Sequence, residues 1–255
     1  MEMAITSLEL NQRLGAFPPP TLVDVRRQPA FDEDPRTIPA AMRRLPEGLD
    51  TWASTLEPWR PVVVYCVRGH EVSRHAASAL CARGLDARYL AGGIEQWKAR
   101  GLPTRAFAAP TRWVTRERPK IDRIACPWLI RRFIDPAAEF FYVPAAEVRG
   151  FADASEAEPY DVPDVRYTHA GHECSFDAFV RLHDLDDPAL AALARIVRGA
   201  DTGAAELAPE APGLLAVSRG LSATFADDYE MLKWGMLVYD SLYVWCRDTR
   251  RGAGT

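Results

Sequence analysis

Apolar runs and amphipathic stretches alternate through the first hundred residues. "TLVDVR" (21–26) is a short apolar run that ends in charge. "PVVVYC" (61–66) is a continuous, β-branched run, the pattern of a parallel strand buried on both faces. "EVSRHAASALCARG" (71–84) carries Val72, Ala76, Ala79 and Leu80 on one helical face, and Gly84 is its stop signal. "DARYLAGG" reads as the next strand and turn, and "IEQWKARG" as a further helix ended by Gly101. This strand–helix order predicts an open α/β sheet. Ligands of such sheets sit at the carboxyl ends of strands.

The pattern changes after "LPTRAFAAPT" (102–111), where two prolines and small residues predict a linker. The expected division is a first domain over 1–103, a linker over 104–111 and a second domain over 112–255. The second domain reads as mainly helical. Asp187 and Pro188 start a helix through "ALAALARIVRG", with Gly199 as its stop. Residues 222–247 read as one long helix, with Phe225, Leu232, Met236, Tyr239, Tyr243 and Cys246 recurring every three or four positions. Met231, Val238, Leu242 and Trp245 widen that stripe, which predicts a central, largely buried helix. Short strands at "EFFYV" and "VRYTH" make the expected class α+β.

A length of 255 residues suits two domains. With 48% hydrophobic and 26% charged residues, both can hold ordinary cores. The net charge of −4 gives no global attraction to nucleic acid or anionic membrane, so neither partner is expected. "MEMAITSLEL" lacks the basic and apolar regions of a signal peptide, and charge interrupts every long apolar stretch. Five scattered cysteines make no disulfide framework. A reducing cytoplasm is the expected location. No motif calls for a cofactor.

The chemistry-bearing stretch of the first domain begins at Cys66, where the apolar run enters a turn and then a helix. The loop comprises Cys66, Val67, Arg68, Gly69, His70, Glu71, Val72 and Ser73. Backbone N–H groups of such a turn can converge on an anion, helped by the helix N-terminus. A thiol placed there is favoured as thiolate. Arg68, His70 and Arg74 add nearby polar or positive groups, and Gly69 gives backbone freedom. These features suit a nucleophilic cysteine. The alternative is a strand-end cysteine that only packs.

"LVDVR", "IPAA", "VVVYCVRGHEVS" and "YLAGGIEQWKARGLP" occur in that order and resemble the rhodanese homology domain over roughly residues 5–103. The GG-x₃-W-x₃-GLP ending is the most specific part. The resemblance implies a parallel sheet flanked by helices. It makes Cys66 the counterpart of the cysteine that carries a persulfide between a small sulfur donor and a thiol acceptor. Asp24 and Arg26 match the strand-end pair that supports the loop. The loop departs from the usual sulfurtransferase length, with seven residues from Cys66 to Val72 where six are typical. Seven is the length in related phosphatases and some arsenate reductases. Those end the loop in arginine, whereas Val72 stands here.

In the second domain, "WVTRERPKIDRIACPWLIRRFID" gathers Arg116, Arg118, Lys120 and Arg123. Arginine suits oxyanions through its bidentate, permanently charged fork. A solvated basic face is the plainer alternative. Pro127 suits a first helical turn, which would place Cys126 near an N-cap and favour its thiolate. "YTHAGHECSFDAF" holds His169, His172, Glu173, Cys174 and Asp177, which are metal-ligand types. Their spacing matches no standard zinc motif, so no metal is assigned and Cys174 or Ser175 can equally cap a helix. Arg198 and Asp201 are expected to form an ion pair.

The first of these blocks, with "CSFDAF", "LARIVRGADT", "GLLAVSRGLS" and "YDSLYVWCR", resembles the C-terminal domain of the ChrB family of chromate resistance proteins. The resemblance covers about residues 112–247 and implies a part in chromate resistance. It makes Arg116, Lys120, Arg123 and His169 candidates to hold chromate. Regulators of that family carry a different N-terminal region, so DNA regulation does not carry over. The expected function is a rhodanese-type sulfurtransferase, with Cys66 as persulfide carrier, fused to an oxyanion-sensing domain. A thiol-dependent chromate or arsenate reductase using Cys66, and a non-catalytic chromate sensor, are the alternatives.

Overall fold

The computed structural model describes residues 3–252. The chain forms two compact units, divided between Ala109 and Pro110. No helix among the described residues is long and apolar enough to cross a membrane.

The first unit contains β1 (Ala4–Ile5), α1 (Ser7–Leu14), β2 (Thr21–Asp24), α2 (Gln28–Asp32), β3 (Arg36–Thr37), β4 (Ala41–Arg43), α3 (Leu49–Ala53), β5 (Val62–Tyr65), α4 (Glu71–Cys81), β6 (Ala87–Leu90), α5 (Gly93–Ala99) and β7 (Arg105–Ala106). Five strands form a parallel sheet in the order β1-β6-β5-β2-β4. Central β5 explains its own unbroken apolar sequence. Val62 and Val64 pack with Trp52, Leu56 and Leu80 on one face, while Val63 and Tyr65 pack with Leu10, Ile94 and Trp97 on the other. Successive side chains of a strand alternate faces, so only a run apolar at every position can be buried on both.

Part of the expected linker is structure. β7 pairs antiparallel with β3, which ties residues 105–106 back to the first unit. Trp97 is fully buried, and its indole N–H donates to the Pro103 carbonyl at 2.8 Å.

The second unit contains β8 (Arg112–Arg116), α6 (Asp122–Leu129), β9 (Glu139–Val143), α7 (Val148–Ser155), β10 (Glu158–Pro159), α8 (Ser175–Leu182), α9 (Pro188–Thr202), α10 (Ala211–Thr224) and α11 (Asp228–Gly252). It is helix-rich, as expected. "EFFYV" is strand β9, but "VRYTH" is a loop with only a single bridge between Tyr160 and Tyr167. The three strands are parallel in the order β10-β8-β9.

Three helix expectations change. The long helix over 222–247 is two helices. Phe225, Ala226 and Asp227 separate α10 from α11, and the Asp227 carboxylate accepts the N–H groups of Tyr229 and Glu230 at 2.9 and 2.8 Å. That is an N-cap inside an apolar stripe that otherwise runs on. The Arg118 guanidinium donates to the Phe225 and Ala226 carbonyls at 3.0 and 2.8 Å, which satisfies the break from the other side. Leu232, Met236, Tyr239, Tyr243 and Cys246 of the stripe are buried, but Trp245 is exposed.

Gly199 does not stop α9, which ends instead at Gly203 in the left-handed conformation. A Cβ at Gly199 would lie 2.9 Å from the Ala211 Cβ, so the position serves the close approach of α9 and α10.

Cys126 is not near an N-cap. Pro127 sits in the interior of α6 and removes the N–H that would bond the Arg123 carbonyl. That carbonyl accepts from the Tyr142 and Tyr160 hydroxyls instead, at 3.3 and 3.4 Å. The density of charge after Pro127 is also structural. Asp240 on α11 accepts from the Trp128 indole at 2.8 Å and from Arg132 at 2.8 and 2.9 Å.

Candidate functional site

Cys66 follows β5 directly, and α4 begins five residues later. The thiol is buried, and its Sγ lies 3.2 Å from the Ser73 hydroxyl. The loop is held from behind by α5. The amides of Ile94 and Glu95 donate to the carbonyls of Cys66 and Val67, both at 3.1 Å. This contact requires glycine twice. Gly69 and Gly93 both have positive φ, 70° and 56°. A Cβ on Gly69 would stand 2.4 Å from the Leu90 carbonyl oxygen, and one on Gly93 would stand 2.4 Å from that of Val67. Backbone meets backbone with no room for a side chain. The GG-x₃-W-x₃-GLP pattern is therefore the rear wall of the cysteine loop.

Asp24 and Arg26 form a buried ion pair. The Arg26 Nε lies 2.9 and 3.0 Å from the two Asp24 oxygens. Arg26 also donates to the carbonyls of Asp34 and Arg36, and both partners are almost wholly enclosed. The pair thereby ties the end of β2 to the segment beyond α2.

A cleft of about 340 Å³ opens over Cys66. Its loop side is formed by Cys66, Val67, Arg68, His70, Glu71 and Val72. Its other side is Arg26, Arg27 and Ala30. Neither loop arginine grips the interior. Arg68 pairs with Glu95 at 3.0 Å, and both are largely exposed. The Arg74 Nε donates to the Gly69 carbonyl at 3.2 Å, and its guanidinium lies over the Tyr89 ring. Arg27 is a further exposed cation in the lining. Sequence reading missed it, since it lies 39 positions from Cys66 and joins no motif.

The second unit brings together a different group from the one its motifs suggested. Arg116, Arg123 and His169 do converge, but on a carboxylate. Asp161 lies 3.0 Å from Arg116 and 3.3 Å from Arg123. Its other oxygen accepts the Ser175 hydroxyl at 2.9 Å. Lys120 is exposed and belongs to no contact of this cluster. Three of the four oxyanion candidates are thus engaged with carboxylates, and Lys120 does not join them.

His169 Nε2 lies 3.3 Å from Asp161, 3.2 Å from Asp201 and 3.6 Å from Asp122. Asp122 opens α6, and its Oδ2 accepts the Ser175 N–H at 2.6 Å. Asp201 therefore faces His169, while Arg198 pairs bidentately with Asp177 at 2.8 and 2.6 Å. This replaces the expected Arg198–Asp201 pair.

The other metal candidates are used elsewhere or lie apart. His172 is exposed in the turn before α8. Cys174 is the buried N-cap of that helix, and Asp177 accepts its N–H at 2.9 Å. Asp122 and Asp161 carry no local motif and Asp201 is read in the sequence only as a partner of Arg198, so sequence reading does not bring the three together.

The cluster is electrostatically tense. Burial, then the charges of Asp201 and Asp161, push the Asp122 carboxyl well up. Burial and Asp161 push Asp201 up. Burial acts on Asp161 too, but hydrogen bonds from His169 and Ser175, with Arg116 beside it, bring it below its ordinary value. The hydrogen bond to Asp161, working against burial and aided by the charges of Asp122, Asp161 and Asp201, raises His169 to about 9. Burial and nearby carboxylates push the Cys126 thiol well up, the reverse of the thiolate expected there.

Two family models match the chain. One is described as the ChrB C-terminal domain and covers residues 113–246. The other is the rhodanese-like domain and covers residues 6–100. Protein ChrB of Cupriavidus metallidurans is 38% identical over 132 residues, which is 51% of this chain and 39% of that protein. The match thus spans under half the length of that curated relative. Among solved structures, a rhodanese-related protein from Thermoplasma volcanium is 25% identical over 41% of this chain and 98% of its own, with a TM-score of 0.37. Thiosulfate sulfurtransferase from Pseudomonas aeruginosa is 25% identical over 43% of this chain and 20% of its own, with a TM-score of 0.36.

Proposed function

Because the chain belongs to the ChrB C-terminal domain family and carries a rhodanese-like domain ahead of it, we propose that it acts in chromate resistance as a sulfur carrier, with Cys66 as the carrying residue. The supporting observation is the seat of Cys66. Its thiol stands at the end of a central parallel strand, on the floor of a cleft large enough for a small anion, and its loop is fixed by α5.

In this reading the Cys66 thiolate attacks the outer sulfur of thiosulfate. The sulfur–sulfur bond of the donor breaks, and sulfite leaves with the electron pair. Cys66 then holds a persulfide. A thiolate or cyanide acceptor attacks the terminal sulfur and regenerates the Cys66 thiolate. Arg27 contributes positive charge at the cleft, and the Ser73 hydroxyl hydrogen-bonds Cys66 Sγ, which attacks in the first step and leaves as thiolate in the second. The test is sulfite release and thiocyanate formation from thiosulfate and cyanide by the full chain. Both should be absent in Cys66→Ser. No turnover by folded wild-type protein contradicts the reading.

The loop of seven residues favours a second reading. Chromate, like thiosulfate, is a tetrahedral dianion, so a cleft that admits one fits the other. Thiol-dependent chromate reduction at this site requires an added thiol reductant and predicts loss in Cys66→Ser.

A further inference from the structure

In the second unit, the ends of parallel strands β8 and β10 lead into Asp122 and Asp161, and His169 and Asp201 complete the group. His169 Nε2 is 3.2, 3.3 and 3.6 Å from oxygens of Asp201, Asp161 and Asp122. One ring nitrogen carries at most one proton and cannot serve three carboxylates. A single cation can. Donor atoms of Asp122, His169 and Asp201 all lie within 4.8 Å of one another. Metal bonds of about 2.0–2.2 Å set donor atoms about 2.8–3.6 Å apart in octahedral or tetrahedral geometry. The distances from His169 Nε2 fall in that range.

A second observation points the same way. Asp122 is only 1% exposed, and its buried Oδ1 has no donor within hydrogen-bond geometry, the weakly donating Cys174 thiol being the side chain beside this carboxyl. A buried carboxylate oxygen without a partner is costly, and a bound cation is one way such groups are satisfied. The nearby arginines point elsewhere: Arg116 and Arg123 both pair with Asp161, and Arg123 acts on Asp201 only as a lesser, unpaired attraction. Asp122 and Asp201 both lie within ion-pair distance of His169.

We propose that Asp122, His169 and Asp201 coordinate a divalent first-row transition-metal ion, with Asp161 Oδ1 beside the group at 3.3 Å from His169 Nε2. One imidazole with several carboxylates suits Mn²⁺, Fe²⁺ or Zn²⁺ rather than a soft thiolate-seeking ion. His169 is 42% exposed on its side chain, which leaves the ion a path from solvent.

The test uses the full chain, stripped with chelator and dialysed. Mn²⁺ binding is followed by loss of the free-ion electron paramagnetic resonance signal, and Zn²⁺ is added as a competitor. We expect one Mn²⁺ per chain, displaced by Zn²⁺. His169→Ala and Asp201→Asn should each weaken binding roughly tenfold or more. His172→Ala should bind as the wild type does. Melting curves establish that the variants fold, and the exposure of His169 makes His169→Ala the safer of the two. Absence of wild-type binding to either ion overturns the proposal. So does wild-type affinity in both His169→Ala and Asp201→Asn.

Discussion

The amide of Ile94 donates to the carbonyl of Cys66 at 3.1 Å, so the helix after the double glycine positions the loop that carries the thiol. The neighbouring pair, Glu95 to Val67, repeats the contact at the same distance. Loop and helix approach closely enough that Gly93 has no space for a Cβ.

Gly93→Ala should therefore damage both stability and chemistry. Left-handed backbone costs an alanine about 1 kcal/mol or more, and the clash with the Cys66 and Val67 carbonyls adds to it. We expect a total loss of about 2 kcal/mol or more, read by urea denaturation. Sulfur loading of Cys66 should fall even in protein that remains folded. Gly101→Ala, where a Cβ would meet nothing within 4 Å, should lose stability from backbone strain alone and keep the loading.

Asp24→Asn should be severe for a different reason. It leaves the enclosed Arg26 guanidinium without its charge partner. Breaking such a pair from one side costs about 3–5 kcal/mol. Chemical denaturation of Asp24→Asn measures it, and a loss below about 1 kcal/mol would contradict the role given to the pair.

Arg27 and Arg68 should behave differently although both line the cleft. Arg68 is paired with Glu95 at the surface. Arg27 lines the cleft from the segment after β2. Arg27→Ala should raise the KM for thiosulfate by up to about fivefold with kcat little changed, the size of one exposed charge contact. Arg68→Ala should change KM less.

Tyr142 and Tyr160 both donate to the Arg123 carbonyl that Pro127 leaves without its helical partner. Either hydroxyl can satisfy it alone. Tyr142→Phe and Tyr160→Phe should each cost about 1 kcal/mol or less, and the double variant more than their sum. A double-mutant cycle by thermal denaturation reads the difference.

The first unit was legible because its information is local. The run Val62–Cys66 declares a strand buried on both faces, and the glycines, Trp97 and Pro103 lie within twelve residues of one another. The second unit hides its features at long range. Asp122, Asp161, His169 and Asp201 span 80 positions and share no spacing rule. Periodicity also misled at Phe225, where the apolar stripe continues while Asp227 caps a new helix. Pro127 was read as a first-turn signal because two distant tyrosines, which make a mid-helix proline tolerable, cannot be seen from its neighbours.

The central claim is that Cys66 carries sulfur. Its most direct test is the intact mass of the full chain after incubation with thiosulfate and removal of excess reagent, alongside Cys66→Ser. The account predicts one added sulfur atom on the wild type, removed by a thiol reductant, and none on Cys66→Ser. An unchanged wild-type mass, in folded protein whose Cys66 is still alkylated by iodoacetamide, would contradict it.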